Sequence, residues 1–138
     1  MAQVQVKSNT SQQYQQEIKA ASHSFLSDAP KEFGGLETGP DPHELLLASL
    51  GSCTAITLQM YAKKKGWDLK SVNVDLREES IDDPENPGKK VSKITREIKV
   101  EGDFDAEQID SLKSAADRCP IHKLLSGPKQ IDTVLNKN

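Results

Sequence analysis

Short runs in which hydrophobic and polar positions alternate flank a long uncharged block in this chain. Val4 and Val6 alternate with polar neighbours, Ser8-Asn9-Thr10-Ser11 offers a turn, and Tyr14 to Ala20 and His23 to Ser27 continue as extended segments. The pattern predicts an N-terminal meander of short strands. Pro30, Gly34, Gly35, Gly39, Pro40 and Pro42 then crowd a segment that can propagate neither helix nor ladder, so it reads as a loop leading into a helix.

From Leu45 to Ala62 there is no charged residue, an 18-residue run long enough to suggest a membrane span. Ser49, Gly51, Ser52, Thr54, Thr57 and Gln59 are too polar or too small for hydrocarbon, and the better expectation is a buried central helix. Its leucines and later Ile56, Leu58, Met60 and Tyr61 cover more than one face, as in a helix packed on several sides. Gly51-Ser52 is expected to break or bend it, Lys63-Lys64-Lys65 complements the negative end of its dipole, and Gly66 stops it.

Val72, Val74 and Leu76 alternate within a strand predicted over Leu69 to Glu79. A turn-rich tip from Asp82 to Gly88 leads to a returning strand over Val91 to Val100. Asp103 or Asp105 can cap a helix over Glu107 to Ala116. Pro120 suits the first position of a short helix running to about Ser126, and Gln130 to Leu135 is expected as a last strand. The order β-β-β-α-β-β-α-α-β describes one α+β domain over residues 1–138.

Composition sharpens this picture. Only 35% of residues are hydrophobic and 4% aromatic, against 28% charged, so the isolated chain has little apolar surface to bury, and a core shared in a dimer would relieve the shortage. The net charge of −3 arises from 18 basic and 21 acidic residues without a basic stripe, which argues against a nucleic-acid surface and a membrane surface alike. Met1 to Val6 has no charged n-region followed by an apolar run, and the expectation is a cytoplasmic protein.

Cys53 lies inside the uncharged block and Cys119 directly precedes Pro120. In a reducing compartment such a pair is rarely a structural staple, which points toward transient or catalytic sulfur chemistry. A thiolate is the reactive form, and it needs a nearby donor or cation. Cys119 would supply the N-cap of the last helix beside Arg118 and one turn from His122 and Lys123; Cys53 would gain similar help if Gly51-Ser52 starts a new helix. Two other readings stay open. Cys53 can be an inert core residue with Cys119 an incidental cap. Alternatively, Cys119 and His122 can join Cys53 and His43 around a metal, although the spacing lacks a Cys-x-x-Cys knuckle. His23 is expected to face a neighbouring strand, and Trp67 to anchor a core or interface.

The segment from Gly39-Pro40-Asp41-Pro42-His43-Glu44 through Leu45-Leu46-Leu47-Ala48-Ser49-Leu50 to Gly51-Ser52-Cys53-Thr54-Ala55 resembles the osmotically inducible protein C and organic hydroperoxide resistance (OsmC/Ohr) family. Ala116-Asp117-Arg118-Cys119-Pro120-Ile121-His122-Lys123 resembles the same family's Cys-Pro segment, and the element order agrees along nearly the whole chain. The resemblance implies an intertwined homodimer with long central helices wrapped by the sheets of both chains. It also implies a thiol peroxidase of oxidative or osmotic stress, acting on organic hydroperoxides, with hydrogen peroxide as the secondary candidate substrate. Cys53 would attack the hydroperoxide and become a sulfenic acid, and Cys119 would resolve it as an intramolecular disulfide. An external dithiol, lipoylated or thioredoxin-like, would reduce that bond, and no cofactor or metal is implied.

The sequence departs from the family pattern around the thiolate. The family's activating arginine lies in the N-terminal strands, whereas no arginine occurs here before Arg77; its acidic partner aligns with His43, and Glu44 follows one residue later. Glu44 and Arg118 are therefore the candidate activating residues. The competing expectation is a non-catalytic relative that holds a small hydrophobic ligand in an apolar interface cleft lined by the thiols.

Overall fold

The computed structural model describes residues 2–137. Five strands and three helices run in the order β1 Val4–Ser8, β2 Gln16–Ala20, β3 His23–Ser27, α1 Pro42–Lys65, β4 Ser71–Asp82, β5 Lys90–Glu101, α2 Ala106–Ala116 and α3 Pro120–Ser126. The fold is mixed α+β, with two antiparallel sheets ordered β1-β2-β3 and β4-β5. Two compact units divide the chain, one ending at Ala48 and the other beginning at Ser49, and α1 runs without interruption across that boundary.

In the first unit the meander pairs Val6 with Ile18 and Ile18 with Phe25. The loop after β3 folds back tightly because Asp28, itself buried, accepts hydrogen bonds from Thr38 Oγ1 at 2.7 Å, Thr38 N at 3.2 Å and Ala29 N at 2.8 Å. Those donors, led by the Thr38 hydroxyl, hold the Asp28 carboxyl below its ordinary range against the opposing effect of desolvation.

In the second unit β4 and β5 form a twelve-residue hairpin whose register pairs Val72 with Val100, Val74 with Ile98 and Leu76 with Arg96. One face of this hairpin meets helices: Leu58, Leu112, Ala115 and Ala116 make the buried core, with Trp67, Val72, Ile98, Val100 and Phe104 packed around it. Trp67 is a core anchor, its ring 5.7 Å from Tyr61 and 6.2 Å from Phe104. Asp105 caps α2 and forms a reciprocal capping box with Gln108.

Two expectations require correction. Gly51-Ser52 does not break α1, a single 24-residue helix. A β-carbon at Gly51 would stand 2.7 Å from Leu76 Cδ1, so the glycine serves the close approach of β4 to an unbroken helix. Cys53 consequently lies mid-helix, where backbone N–H groups are already used.

Burial along α1 within the single chain follows one stripe. Leu50, Gly51, Thr54, Leu58 and Ala62 form one buried stripe at helical spacing, while Ile56 and Met60 are 47% and 68% exposed within the single chain. The helix is long and apolar enough to cross a membrane by length and composition, the same property that its core stripe requires. Finally, residues 130–135 form no strand, and Ile131, Val134 and Leu135 are 83%, 83% and 94% exposed. A lone extended segment satisfies no ladder bonds without a neighbouring strand, and alternation alone cannot supply that neighbour.

Candidate functional site

The two cysteines come together in the second unit. α1 carries Cys53 one residue before the buried Thr54, and the turn closing α2 delivers Cys119 to the same place. Asp117 ends α2, the Arg118 and Cys119 amides bond back to Ala115 and Ala116 at 3.0 and 3.2 Å, and Pro120 then starts α3. Proline at the first helical position requires no amide donor, so the chain turns sharply there and leaves the Cys119 side chain as the cap. Its Sγ accepts the His122 amide at 3.3 Å.

Both thiols are free, Cys119 fully buried and Cys53 half-buried, and each lies within hydrogen-bonding reach of the other. Their acidities diverge. Desolvation and the hydrogen bond to Cys119 push Cys53 above the ordinary thiol value, with the Ile121 amide and Thr57 hydroxyl only partly opposing. Desolvation also raises Cys119, but the combined hydrogen bonds from the Cys53 thiol, the His122 and Ile121 amides and the Thr54 hydroxyl outweigh it and lower Cys119 below the ordinary value. Of the two thiols, Cys119 is therefore the more acidic and Cys53 the less. Sequence reasoning anticipated donors around Cys119; it offered Cys53 a lowered pKa only if a helix began at Gly51-Ser52, a start that α1 does not have.

Glu44 and Arg118, the residues singled out as activators, have other contacts. Glu44 accepts the Asp41 amide at 3.0 Å while its own amide donates to Asp41 Oδ1 at 2.8 Å, a capping box that starts α1. The Arg118 guanidinium lies over the Tyr61 ring at 5.6 Å.

The cation nearest the sulfurs' hydrogen-bond network is one that sequence reasoning passed over. Arg96, on β5, donates to Thr54 Oγ1 at 3.0 Å, Ala116 O at 3.4 Å, Asp117 Oδ1 at 3.0 Å and His122 Nδ1 at 3.2 Å, and its side chain is only 12% exposed. A signal for it was present. Ile94, Ile98 and Val100 mark the inward face of β5 at alternate positions, and Arg96 occupies the same face where an apolar residue is the norm. Arginine cannot accept a hydrogen bond, so in this contact His122 Nδ1 is placed as the acceptor, with Asp117 Oδ1 4.0 Å from the same nitrogen. Among the described residues no group of three or more His, Cys, Asp or Glu side chains is placed to hold a metal ion, so the Cys53, His43, Cys119 and His122 set does not assemble.

With that geometry in place, comparison with known proteins is informative. The sequence model described as OsmC-like protein matches residues 34–134. The chain belongs to the OsmC-like family. An uncharacterized protein of Haloferax volcanii is 30% identical over 101 residues, spanning 72% of this chain and 73% of that one. Among crystal structures, the OsmC-like protein of Mycoplasma pneumoniae superposes with a TM-score of 0.72 at 18% identity, over 92% of this chain and 88% of that one. The organic hydroperoxide resistance protein OsmC of Legionella pneumophila gives 0.68 at 15% identity, over 92% and 90%. The organic hydroperoxide resistance protein OhrB of Bacillus subtilis gives 0.58 at 22% identity, over 92% and 91%. At these identities the structural likeness establishes the OsmC-like fold, and the low values mark this chain as a divergent member.

These opposite shifts have a direct signature. Thiolate absorbance near 240 nm should titrate in two steps, one below and one above the ordinary thiol value. Cys53→Ala removes a donor and should raise the Cys119 step; Cys119→Ala removes the acceptor and should lower the Cys53 step. Two coincident steps at the ordinary value, unmoved by either substitution, would contradict the pairing.

Proposed function

We propose that this OsmC-like protein is a thiol-dependent peroxidase that reduces organic hydroperoxides, with Cys53 as nucleophile and Cys119 as resolving thiol. The observation that supports the reading is the closeness of two free thiols, one half-buried and one fully buried. The sulfur that meets an incoming hydroperoxide is the more exposed, Cys53.

In this reading Cys53 Sγ attacks the terminal oxygen of the hydroperoxide and the O–O bond breaks. The sulfur keeps that oxygen and its hydrogen as a sulfenic acid. The departing alkoxide takes the proton Cys53 has given up, passed through Cys119, and leaves as the alcohol. Cys119 is left as thiolate. It attacks the Cys53 sulfur, the S–O bond breaks, and the expelled hydroxide is protonated by solvent to water. Two electrons have moved from the thiol pair to the peroxide, and an external dithiol of lipoylated or thioredoxin-like type returns them by thiol–disulfide exchange. The raised pKa of Cys53 is compatible with this sequence, because the base that accepts its proton is the neighbouring sulfur.

An organic substrate is favoured by the surroundings. An open cleft of about 390 Å³ places Leu50, Ile94 and Leu125 beside Arg96 and His122, so an apolar group finds a wall next to polar groups. A second reading is favoured by a different cavity of about 290 Å³ lined by Leu58, Ile98, Val100, Ile109 and Leu112, in which the protein holds a small hydrophobic ligand without turnover. We also propose a homodimer, supported by the exposed Ile56 and Met60 on α1 and the exposed Ile131, Val134 and Leu135 near the C-terminus. We propose cytoplasmic residence as well, the setting in which a reactive thiol pair is kept reduced.

Stopped-flow consumption of cumene hydroperoxide by the reduced protein separates the two functional readings. Cys53→Ser should consume none. Cys119→Ala should consume one equivalent about 100-fold more slowly, for want of the proton acceptor, and accumulate a dimedone-reactive sulfenic acid. Consumption by Cys53→Ser at the parent rate would remove the peroxidase reading. Sedimentation equilibrium should return about twice the 15.2 kDa chain mass, and a concentration-independent monomer would remove the dimer.

A further inference from the structure

Thr54 has one hydroxyl proton and more partners than it can serve at once. Its Oγ1 accepts from Arg96 Nη1 at 3.0 Å and donates to Leu50 O at 2.7 Å, and the same hydroxyl is among the groups that favour the charged form of Cys119. The residue is fully buried, so water does not compete for these roles. A hydroxyl offers one donor and two acceptor lone pairs, and the guanidinium, a donor only, fills one lone pair. Hence the single proton goes either to Leu50 O or to Cys119 Sγ.

The Leu50 carbonyl does not depend on it. Position 54 lies four residues after 50 in an unbroken helix, so the Thr54 backbone N–H supplies that carbonyl's regular partner. When Cys119 is neutral the proton rests on Leu50 O as a second bond; when Cys119 is negative, the charged acceptor is the stronger one. Arg96 enhances this preference. A cation donating to an oxygen draws electron density from its O–H bond and makes the proton a better donor, and burial preserves the effect because little solvent screens it. Other charged or titratable groups face the guanidinium. His122 Nδ1 only accepts from it, and Asp117 is 59% exposed, so its neutralising effect is screened by solvent.

We propose that Arg96 and Thr54 form a hydrogen-bond relay in which the guanidinium polarises the Thr54 hydroxyl toward Cys119 Sγ, with Arg96 acting as a positioning residue on β5 that supports the resolving thiolate without touching it. The relay rests on the thiol-pair reading given above. It supplies Cys119 with positive charge through a neutral hydroxyl, which leaves the sulfur free to form a bond with Cys53.

The test uses the full chain carrying Cys53→Ser, so that Cys119 is the only thiol, and follows thiolate absorbance against pH. No peroxide is present, so the outcome is independent of whether the protein is a peroxidase. Thr54→Val should raise the Cys119 midpoint by about one pH unit, a tenfold loss of thiolate at a given pH, and Thr54→Ser should restore it. Arg96→Met should raise it comparably, and Arg96→Met in the Thr54→Val background should add little, because both act through one hydroxyl. A purely structural Arg96 predicts additive shifts or none, and either result overturns the relay, as does a midpoint indifferent to Thr54→Val. If Arg96→Met fails to fold, Asp117→Asn serves in its place: freeing the guanidinium of its counter-ion should lower the midpoint, and that fall should shrink in the Thr54→Val background. A midpoint unmoved by Asp117→Asn, or a fall of equal size without the hydroxyl, counts against the proposal.

Discussion

Two sulfur atoms from distant parts of the sequence, one half-buried and one fully buried, are brought together with opposite shifts in acidity, and much of the second unit serves to keep them there. Neither group alone would be comfortable. A buried thiol with no partner becomes less acidic and inert, and a buried thiolate with no donors would be prohibitively desolvated. Together they divide the burden: Cys119 collects the Cys53 thiol, two backbone amides and the Thr54 hydroxyl, and Cys53 keeps its proton because its neighbour is the better anion. That division assigns different parts to two chemically identical side chains.

The fold meets this need with ordinary means. Gly51 lets β4 come close to α1 without interrupting it, which keeps Leu50, Thr54 and Leu58 on one stripe and sets Cys53 at its margin. Pro120 turns the chain out of α2 and presents Cys119 as a cap. Arg96 ties β5 to both helical segments through Thr54, Ala116, Asp117 and His122, so the strand hairpin, the long helix and the Cys-Pro turn are fastened at the point where the sulfurs meet.

The parts legible in the sequence were those dictated by local chemistry. The hairpin over β4 and β5 follows from alternation, α2 from its Asp105 cap, and α3 from Cys119-Pro120, because each signal lies within a few residues of the element it defines. The α+β class and the OsmC-like family followed from the order of these elements and from two motifs. What escaped depended on distant partners. Gly51 reads as a breaker until Leu76 is seen against it, Glu44 reads as a free acid until its bond to the Asp41 amide is seen, and Arg118 reads as a cation for sulfur until Tyr61 is seen beneath it. Arg96 was hidden for a different reason: attention to the two motifs left a charged residue on the apolar face of a strand unremarked. The segment over residues 130–135 alternates like a strand, yet it pairs with no strand among the described residues.

The account stands on sulfur bonding to sulfur inside one polypeptide. Reduced protein treated with one equivalent of an organic hydroperoxide, digested without reductant and weighed by mass spectrometry, tests this directly. The expected product is a single cross-linked species joining the Cys53 and Cys119 peptides of the same chain, released as two by a dithiol. A Cys53 sulfinic acid beside an untouched Cys119, or a disulfide only between separate chains, would contradict it.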